Sequence, residues 1–313
     1  MKILELFSGY GTASFALKEL GIDYELVGYS DVYKYANQCF KQNHCPNDTE
    51  DKLRLGDVKL IDPNKLEDFD LLTGGFPCQA FSVAGKGLGE LDPRGTLFYE
   101  IIRIAEVKKP RYMLLENVKG LTSKKFKTTF DKILSELDRI GYKVHWKVLN
   151  TKDYGIPQNR ERVWFVCFRE QSDYDKFKFP DKEELKIFIK DILEENRNEI
   201  SIKNKKLKLI LDSPTGKEDP CFELTGDTPS GLSRQKDRIY SKISPCLNCT
   251  IEEVLVNING KIIKLNGKEH FRLQGFLKDN INISGLNERV IKKLAGNGQS
   301  LNVVTKIFKE MLK

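Results

Sequence analysis

Through roughly its first half the chain alternates short apolar runs with amphipathic stretches, and few folds accept that alternation. Strands are expected at 2–7, 25–29, 70–73, 112–116, 143–148 and 163–168, with helices between them at 13–20, 32–43, 96–106 and 125–140. A strand followed by a helix returns the chain to the same edge, so successive strands lie parallel with helices on both faces. The expected fold is α/β, with a mostly parallel, doubly wound sheet. Ligands of such sheets bind beyond the carboxyl ends of the strands, and the residues there carry the functional argument.

The pattern then changes. A charged amphipathic helix is expected over 181–197, followed between 198 and 265 by short β-rich runs (207–211, 253–258) and turn-rich stretches at 212–216 and 228–231. Two helices, 287–294 and 300–312, close the chain around Gly296-Asn297-Gly298. The expected division is a catalytic, cofactor-binding domain of residues 1–197 and 287–313, a small irregular β-rich domain of 198–265, and a hinge of 266–286.

Composition narrows the class. Seven cysteines at irregular spacings do not read as a disulfide framework, and a reducing cytoplasm is expected. Cys246-x-x-Cys249 has half a zinc spacing without a second pair, so no metal is expected. No apolar run reaches the roughly eighteen residues of a membrane span. The net charge of +7 is modest for 313 residues. Local clusters, Lys203, Lys205, Lys206 and Lys208, then Arg234, Lys236, Arg238 and Lys242, suit phosphates, although a solvated face is the blander reading.

The strand ends are more informative. The first strand runs into Phe7-Ser8-Gly9-Tyr10-Gly11-Thr12 and a helix, a turn that lets backbone approach a cofactor and that, alone, is equally a tight connection. The second ends at Ser30-Asp31, an acid suited to ribose hydroxyls, and Gly56-Asp57-Val58 offers another acid, suited to an adenine amino group. No phosphate-binding Lys-Ser/Thr follows the first turn, which disfavours a triphosphate. The next strand ends in Gly74-Gly75-Phe76-Pro77-Cys78-Gln79, a turn that would expose a thiol; the following one ends in Glu116-Asn117-Val118. Arg160 and Arg162 precede a further apolar strand, where a spacing of two would share one face.

In this order, together with Asp92-Pro93-Arg94-Gly95-Thr96-Leu97-Phe98, Gln158 to Arg162, Arg272-Leu273-Gln274-Gly275-Phe276 and Gly296-Asn297, the chain resembles the cytosine-5 DNA methyltransferases, in particular the compact bacterial restriction-modification type. The resemblance spans nearly the whole chain. It implies a Rossmann-like methyltransferase domain binding S-adenosyl-L-methionine, with S-adenosyl-L-homocysteine as product, through Phe7, Gly9, Gly11, Thr12, Asp31, Val32, Asp57, Val58, Pro77, Leu97, Asn297, Gly298 and Gln299. Two departures fall in that set: Thr12 stands where many members have a third glycine, and Gly298-Gln299 replaces the commoner Ser-Val.

The same resemblance implies the chemistry. Cys78 attacks C6 of cytosine, Glu116 contacts N3 and the exocyclic amine, and Arg162, with Arg160 more peripheral, holds O2 and favours the thiolate. Stacked bases are out of reach, so the cytosine must be flipped from double-stranded DNA into the cleft, with 80–94 as a mobile lid. Gln79, Ser82, Arg94, Arg234, Gln235, Lys236, Arg238 and Tyr240 are the implied DNA contacts, Gln235 filling the vacated space and Arg238 reading a guanine edge, or both contacting phosphates only. A monomer would serve one site, alone or alongside a cognate restriction endonuclease, in a bacterium or a phage. A transfer RNA methyltransferase on the same scaffold and a catalytically silent DNA-binding regulator are the rival readings. The variable segment and the absence of Cys-Phe-Thr oppose the first; intact Cys78, Glu116, Arg160 and Arg162 oppose the second.

Overall fold

The computed structural model describes residues 1–77, 97–195, 220–224, 240–247, 253–259 and 261–313. The chain forms two compact units: Met1–Leu149 with Glu161–Asp181 and Val304–Lys313, and Asn150–Arg160 with Lys182–Val303.

The first unit is built on a six-stranded sheet. Its strands are β1 (Lys2–Leu6), β2 (Glu25–Ser30), β3 (Leu71–Gly75), β4 (Tyr112–Val118), β5 (Lys143–Asn150, its last residue falling in the second unit) and β6 (Glu161–Phe168), in the order β2-β1-β3-β4-β6-β5. β1 pairs in parallel with β2 and β3, and β3 with β4, whereas β6 runs antiparallel to β4. The sheet is therefore mostly parallel, as the alternation predicts. Helices α1 (Thr12–Glu19), α2 (Lys34–His44), α3 (Leu97–Lys108) and α4 (Lys127–Arg139) follow strands, and a short α5 (Gln171–Lys176) comes after β6. The core joins Leu4, Leu72, Met113 and Phe165 of the strands to Ile101, Ile104, Ile133 and Leu137 of α3 and α4. On α4 the buried positions 130, 133 and 137 lie along one helical face, so a single stripe is removed from water.

The second unit contains an antiparallel sheet in the order β10-β9-β7-β8, made by β7 (Pro220–Leu224), β8 (Tyr240–Ser241), β9 (Glu253–Ile258) and β10 (Lys261–Lys264). The run expected at 253–258 is β9; the one at 207–211 lies outside the described residues. Helix α6 (Gly267–Arg272) opens with a capping box between Asn266 and Glu269, and α7 (Glu288–Asn297) is capped by the Asn287 side chain. Helix α8 (Leu301–Met311) completes the fold.

Two expectations are corrected. The helix expected over 181–197 is absent from its described part, where only one 3-10 turn, Ile189–Ile192, forms. Its backbone is recruited elsewhere in the unit: Glu183 N–H donates to the Asp153 carbonyl (3.0 Å), Ile189 N–H to the Lys242 carbonyl (2.8 Å) and Glu194 N–H to Glu269 (2.9 Å). Tertiary partners override a charged helical pattern. Arg160 is also not on a strand, since β6 begins at Glu161; its N–H bonds the Gln158 carbonyl, and Arg160 and Arg162 do not share a strand face.

Candidate active site

The turn after β1 is strained and held from several sides. Phe7 has a φ of +52°, a left-handed conformation that an aromatic residue rarely takes, followed by Gly9 (+55°) and Gly11 (+83°). Gly11 is required by space as well as angle, because a Cβ there would lie 2.8 Å from Phe40 and closer still to the His44 ring. The His44 Nε2–H donates to the Tyr10 carbonyl (3.0 Å) while Lys18 Nζ approaches Nδ1 at 3.3 Å. Burial, then the Lys18 charge, push the imidazole down to about 3, so it stays neutral. Gly11 caps α1 without a side chain. Glu5, buried on β1, accepts from Ser14 N–H (3.1 Å) and Ser14 Oγ instead. Desolvation, opposed by those bonds, raises the Glu5 carboxyl to about 7.

Asp31 at the end of β2 closes the same turn. Its Oδ2 accepts Gly9 N–H (3.0 Å) and its Oδ1 accepts Tyr33 N–H (2.8 Å), which is also why α2 starts at Lys34 rather than 32. Burial raises its pKa, and the backbone N–H groups oppose that rise. Val32 beside it is 78% exposed, an apolar side chain presented outward. Ser30 Oγ donates to the Gly56 carbonyl (2.7 Å), and Asp57 caps the following 3-10 turn by accepting Lys59 N–H (3.0 Å) with Val58 buried.

Farther along the sheet, Gly75 on β3 lies in register with Glu116 on β4, and Val118 with Arg162 on β6. Because β6 runs backwards, its first residues reach the edge where β4 ends. Glu116, 9% exposed, meets Arg162 Nε at 3.0 Å through Oε1. That contact satisfies the distance of an ion pair but not the direction of a hydrogen bond. Asn117 Nδ2 donates to the Phe76 carbonyl (3.2 Å), tying β4 to the turn that leads into Pro77. Phe76 packs against Phe98 of α3, with ring centroids 5.4 Å apart, and Leu97 begins that helix.

In the second unit, Arg160 is 2% exposed. Nη1 donates to the carbonyls of Leu247 (2.8 Å) and Gly296 (3.3 Å), and Nη2 to that of Gly298 (2.7 Å). A cation at the carboxyl end of α7 meets the negative end of that helix. Asn297 is exposed, and Ser300 bonds Gln274 (3.0 Å) and Thr151 (2.8 Å). Gln274 and Ser300 thus fix the backbone around 295–301, while Gln158 donates to the Leu273 carbonyl next to Gln274.

Cys78, Gln79, Ser82, Arg94, Arg234, Gln235, Lys236 and Arg238 lie outside the described residues, as does the whole of the 80–94 lid; Tyr240 is placed only as part of β8. Sequence reasoning did not single out Glu5, His44 or Arg103; a carboxylate inside an otherwise apolar first strand was the available signal for the first.

A family model described as C-5 cytosine-specific DNA methylase matches residues 1–313. The chain belongs to that family. Membership makes it an enzyme that methylates cytosine at C5 in DNA, using S-adenosylmethionine as the family does. It is 36% identical over 311 residues to the Type II methyltransferase M.NgoBI of Neisseria gonorrhoeae, covering 97% of this chain and 90% of that one. It is 32% identical over 312 residues to M.HhaI of Haemophilus parahaemolyticus, covering 97% and 92%. The orphan methyltransferase M.Rho11sI of Bacillus phage rho11s is 42% identical over 170 residues, which are 54% of this chain and 33% of that one. S. pombe Dnmt2 methyltransferase superposes with a TM-score of 0.70 at 22% identity, covering 100% and 98%, and so shares the fold. Among the described residues no group of metal-ligating side chains and no helix able to cross a membrane occurs.

The residues at the β1 and β2 ends suit S-adenosylmethionine. In the left-handed turn Gly9 faces open space, with nothing within 4 Å of where a Cβ would stand, which leaves room for close approach, and Asp31 keeps lone pairs on both oxygens beside its backbone donors.

Proposed function

We propose that this methylase works through Cys78, with Glu116 and Arg162 as the side chains that meet the target cytosine. The observation that carries the reading is the close Glu116–Arg162 pair on β4 and β6, with Gly75, three residues before Cys78, in register with Glu116. The Cys78 thiolate adds to C6, and the C5=C6 electron pair moves to C5. Glu116 donates to or shares a proton with N3, and Arg162 holds O2, so the ring accepts that charge. S-adenosyl-L-methionine, when bound, supplies the methyl group at C5 and leaves as S-adenosyl-L-homocysteine. Loss of the C5 proton restores the double bond and expels the Cys78 thiolate.

Phe7, Gly9, Gly11, Thr12, Asp31, Val32, Asp57, Val58, Pro77 and Leu97, with Asn297, Gly298 and Gln299, are the residues proposed to hold the cofactor, Asp31 through the ribose and Asp57 through the adenine amine. Arg160 acts through the Gly296–Gly298 backbone rather than on the base, since its Nη1 and Nη2 groups are committed to carbonyls. Residues 198–265 choose the DNA site, with Arg234, Gln235, Lys236, Arg238 and Tyr240 on the duplex and Gln79, Ser82 and Arg94 around the flipped base. The enzyme acts as a monomer in a reducing cytoplasm, alone or beside a cognate endonuclease of the same site; the Type II names of M.NgoBI and M.HhaI support the endonuclease, and the orphan M.Rho11sI supports action alone.

The test is adduct formation on duplex DNA containing 5-fluorocytosine, which has no C5 proton to lose. A covalent complex should form with cofactor and wild-type enzyme, and not with Cys78→Ser. An adduct in the Cys78→Ser variant refutes the nucleophile. Labelled methyl transfer to duplex DNA and not to transfer RNA separates this reading from an RNA substrate.

A further inference from the structure

Arg103 on α3 belongs to none of the motifs above, yet its planar guanidinium is committed in three directions. Nη1 donates to the Ile61 carbonyl (2.8 Å), Nη2 to the Val58 carbonyl (3.1 Å) and Nε to Glu100 Oε2 (2.8 Å). A fork used this way is fixed in orientation as well as position. Both carbonyls belong to the 3-10 turn that Asp57 caps and to the residue that ends it.

The same segment is anchored on its other side by β2. Tyr29 N–H donates to the Leu53 carbonyl and Leu55 N–H to the Tyr29 carbonyl, each at 2.8 Å, and Ser30 Oγ holds the Gly56 carbonyl. Residues 53–56 are thus tied to the sheet and 58–61 to α3, with Asp57 between the two anchors. Val58 and Ile61 are buried in the core beneath. A carboxylate and an amide that must both meet one flat base need such fixing, because a hydrogen bond fades within a few tenths of an ångström of its optimum.

We infer that Arg103 is a positioning residue for purine selection: it sets Asp57 and Val58 at the distance that accepts an adenine amino group and rejects a 6-oxo purine. The inference rests on the reading of Asp57 as the adenine partner. Hypoxanthine would place an acceptor oxygen against the Asp57 carboxylate, leaving a desolvated acceptor pair without a proton.

The experiment is calorimetric titration of the full chain with S-adenosyl-L-homocysteine and with its 6-oxo analogue, S-inosyl-L-homocysteine. Wild type should prefer the adenine form by about a hundredfold, as expected where a site hydrogen-bonds the group being replaced. Arg103→Met keeps the side-chain stem but not the fork. It should weaken the adenine form about tenfold, leave the 6-oxo form nearly unchanged and so compress the ratio. Glu100→Gln, which loosens only the Nε anchor, should compress it part of the way and serves as the second variant if Arg103→Met does not fold. Asp31→Ala should weaken both ligands equally, preserving the ratio. An Asp57→Asn ratio equal to wild type refutes the adenine role of Asp57. A ratio that collapses in Asp57→Asn but stays at the wild-type value in Arg103→Met, or in Glu100→Gln where that is the variant that folds, overturns the Arg103 inference alone.

Discussion

At the β2 end of the sheet Asp31 is fixed by two backbone N–H groups, whereas at the β4–β6 end Glu116 is met by the side chain of Arg162. Backbone donors move only with the chain; a guanidinium moves by rotating its own bonds. The first end is therefore built before anything binds. The second can exchange partners, each member of the ion pair turning to a different edge of one base without moving a strand.

The largest test of this contrast is Glu116→Gln. It should lower the single-turnover methylation rate by about a hundredfold or more, the usual scale for a lost proton donor, with S-adenosyl-L-homocysteine affinity within about twofold of wild type. An equal loss of cofactor affinity would show that the two ends are not independent. Arg160→Met asks whether every side-chain anchor is exchangeable. Its three carbonyl partners are main-chain atoms, so chemical denaturation should find the protein less stable by about 3 kcal/mol. An unchanged midpoint would mean that water replaces the guanidinium.

Asp31→Asn keeps an acceptor for only one of the Gly9 and Tyr33 N–H groups and should weaken S-adenosyl-L-homocysteine by about tenfold, read by calorimetry, while adduct formation at saturating cofactor persists. Loss of the adduct at saturation would extend the Asp31 effect to the base end. Outside both ends lies a pH dependence at Glu5, whose carboxyl is raised from 4.5 to about 7 mainly by desolvation. Below about 4.5 the group is protonated folded and unfolded alike, and its full stabilising contribution is present. As pH rises through about 7 that contribution is lost, because the folded protein resists ionisation longer than the unfolded chain. Glu5→Gln cannot ionise, so its stability relative to wild type should improve between pH 5 and pH 8 by on the order of 2 kcal/mol. A pH-independent difference would mean that Glu5 titrates as an exposed carboxylate.

The strands were legible because each is a short apolar run bounded by turn residues, and the acids Asp31, Asp57 and Glu116 because a charge at the end of such a run is conspicuous. Two kinds of information were not. The charged stretch 181–195 has a helical pattern, but its N–H groups find partners at Asp153, Lys242 and Glu269, none of which is near in sequence. Arg160 and Arg162 look equivalent on paper. A strand boundary falling between them gives one a carboxylate and the other three carbonyls, and a two-residue spacing does not say where a strand begins. Arg103 was invisible for a similar reason, since its meaning lies in carbonyls some forty residues upstream.

Phe7 sits at φ +52° where glycine would sit at ease. An aromatic residue there costs on the order of 1 kcal/mol, which a search for heat-tolerant variants would recover by substituting glycine. Such a search would pass every assay of folding and drift away from catalysis unnoticed if the ring serves the cofactor. Directed evolution of this enzyme should therefore hold residue 7 constant, or select on methylated DNA rather than on survival of the fold.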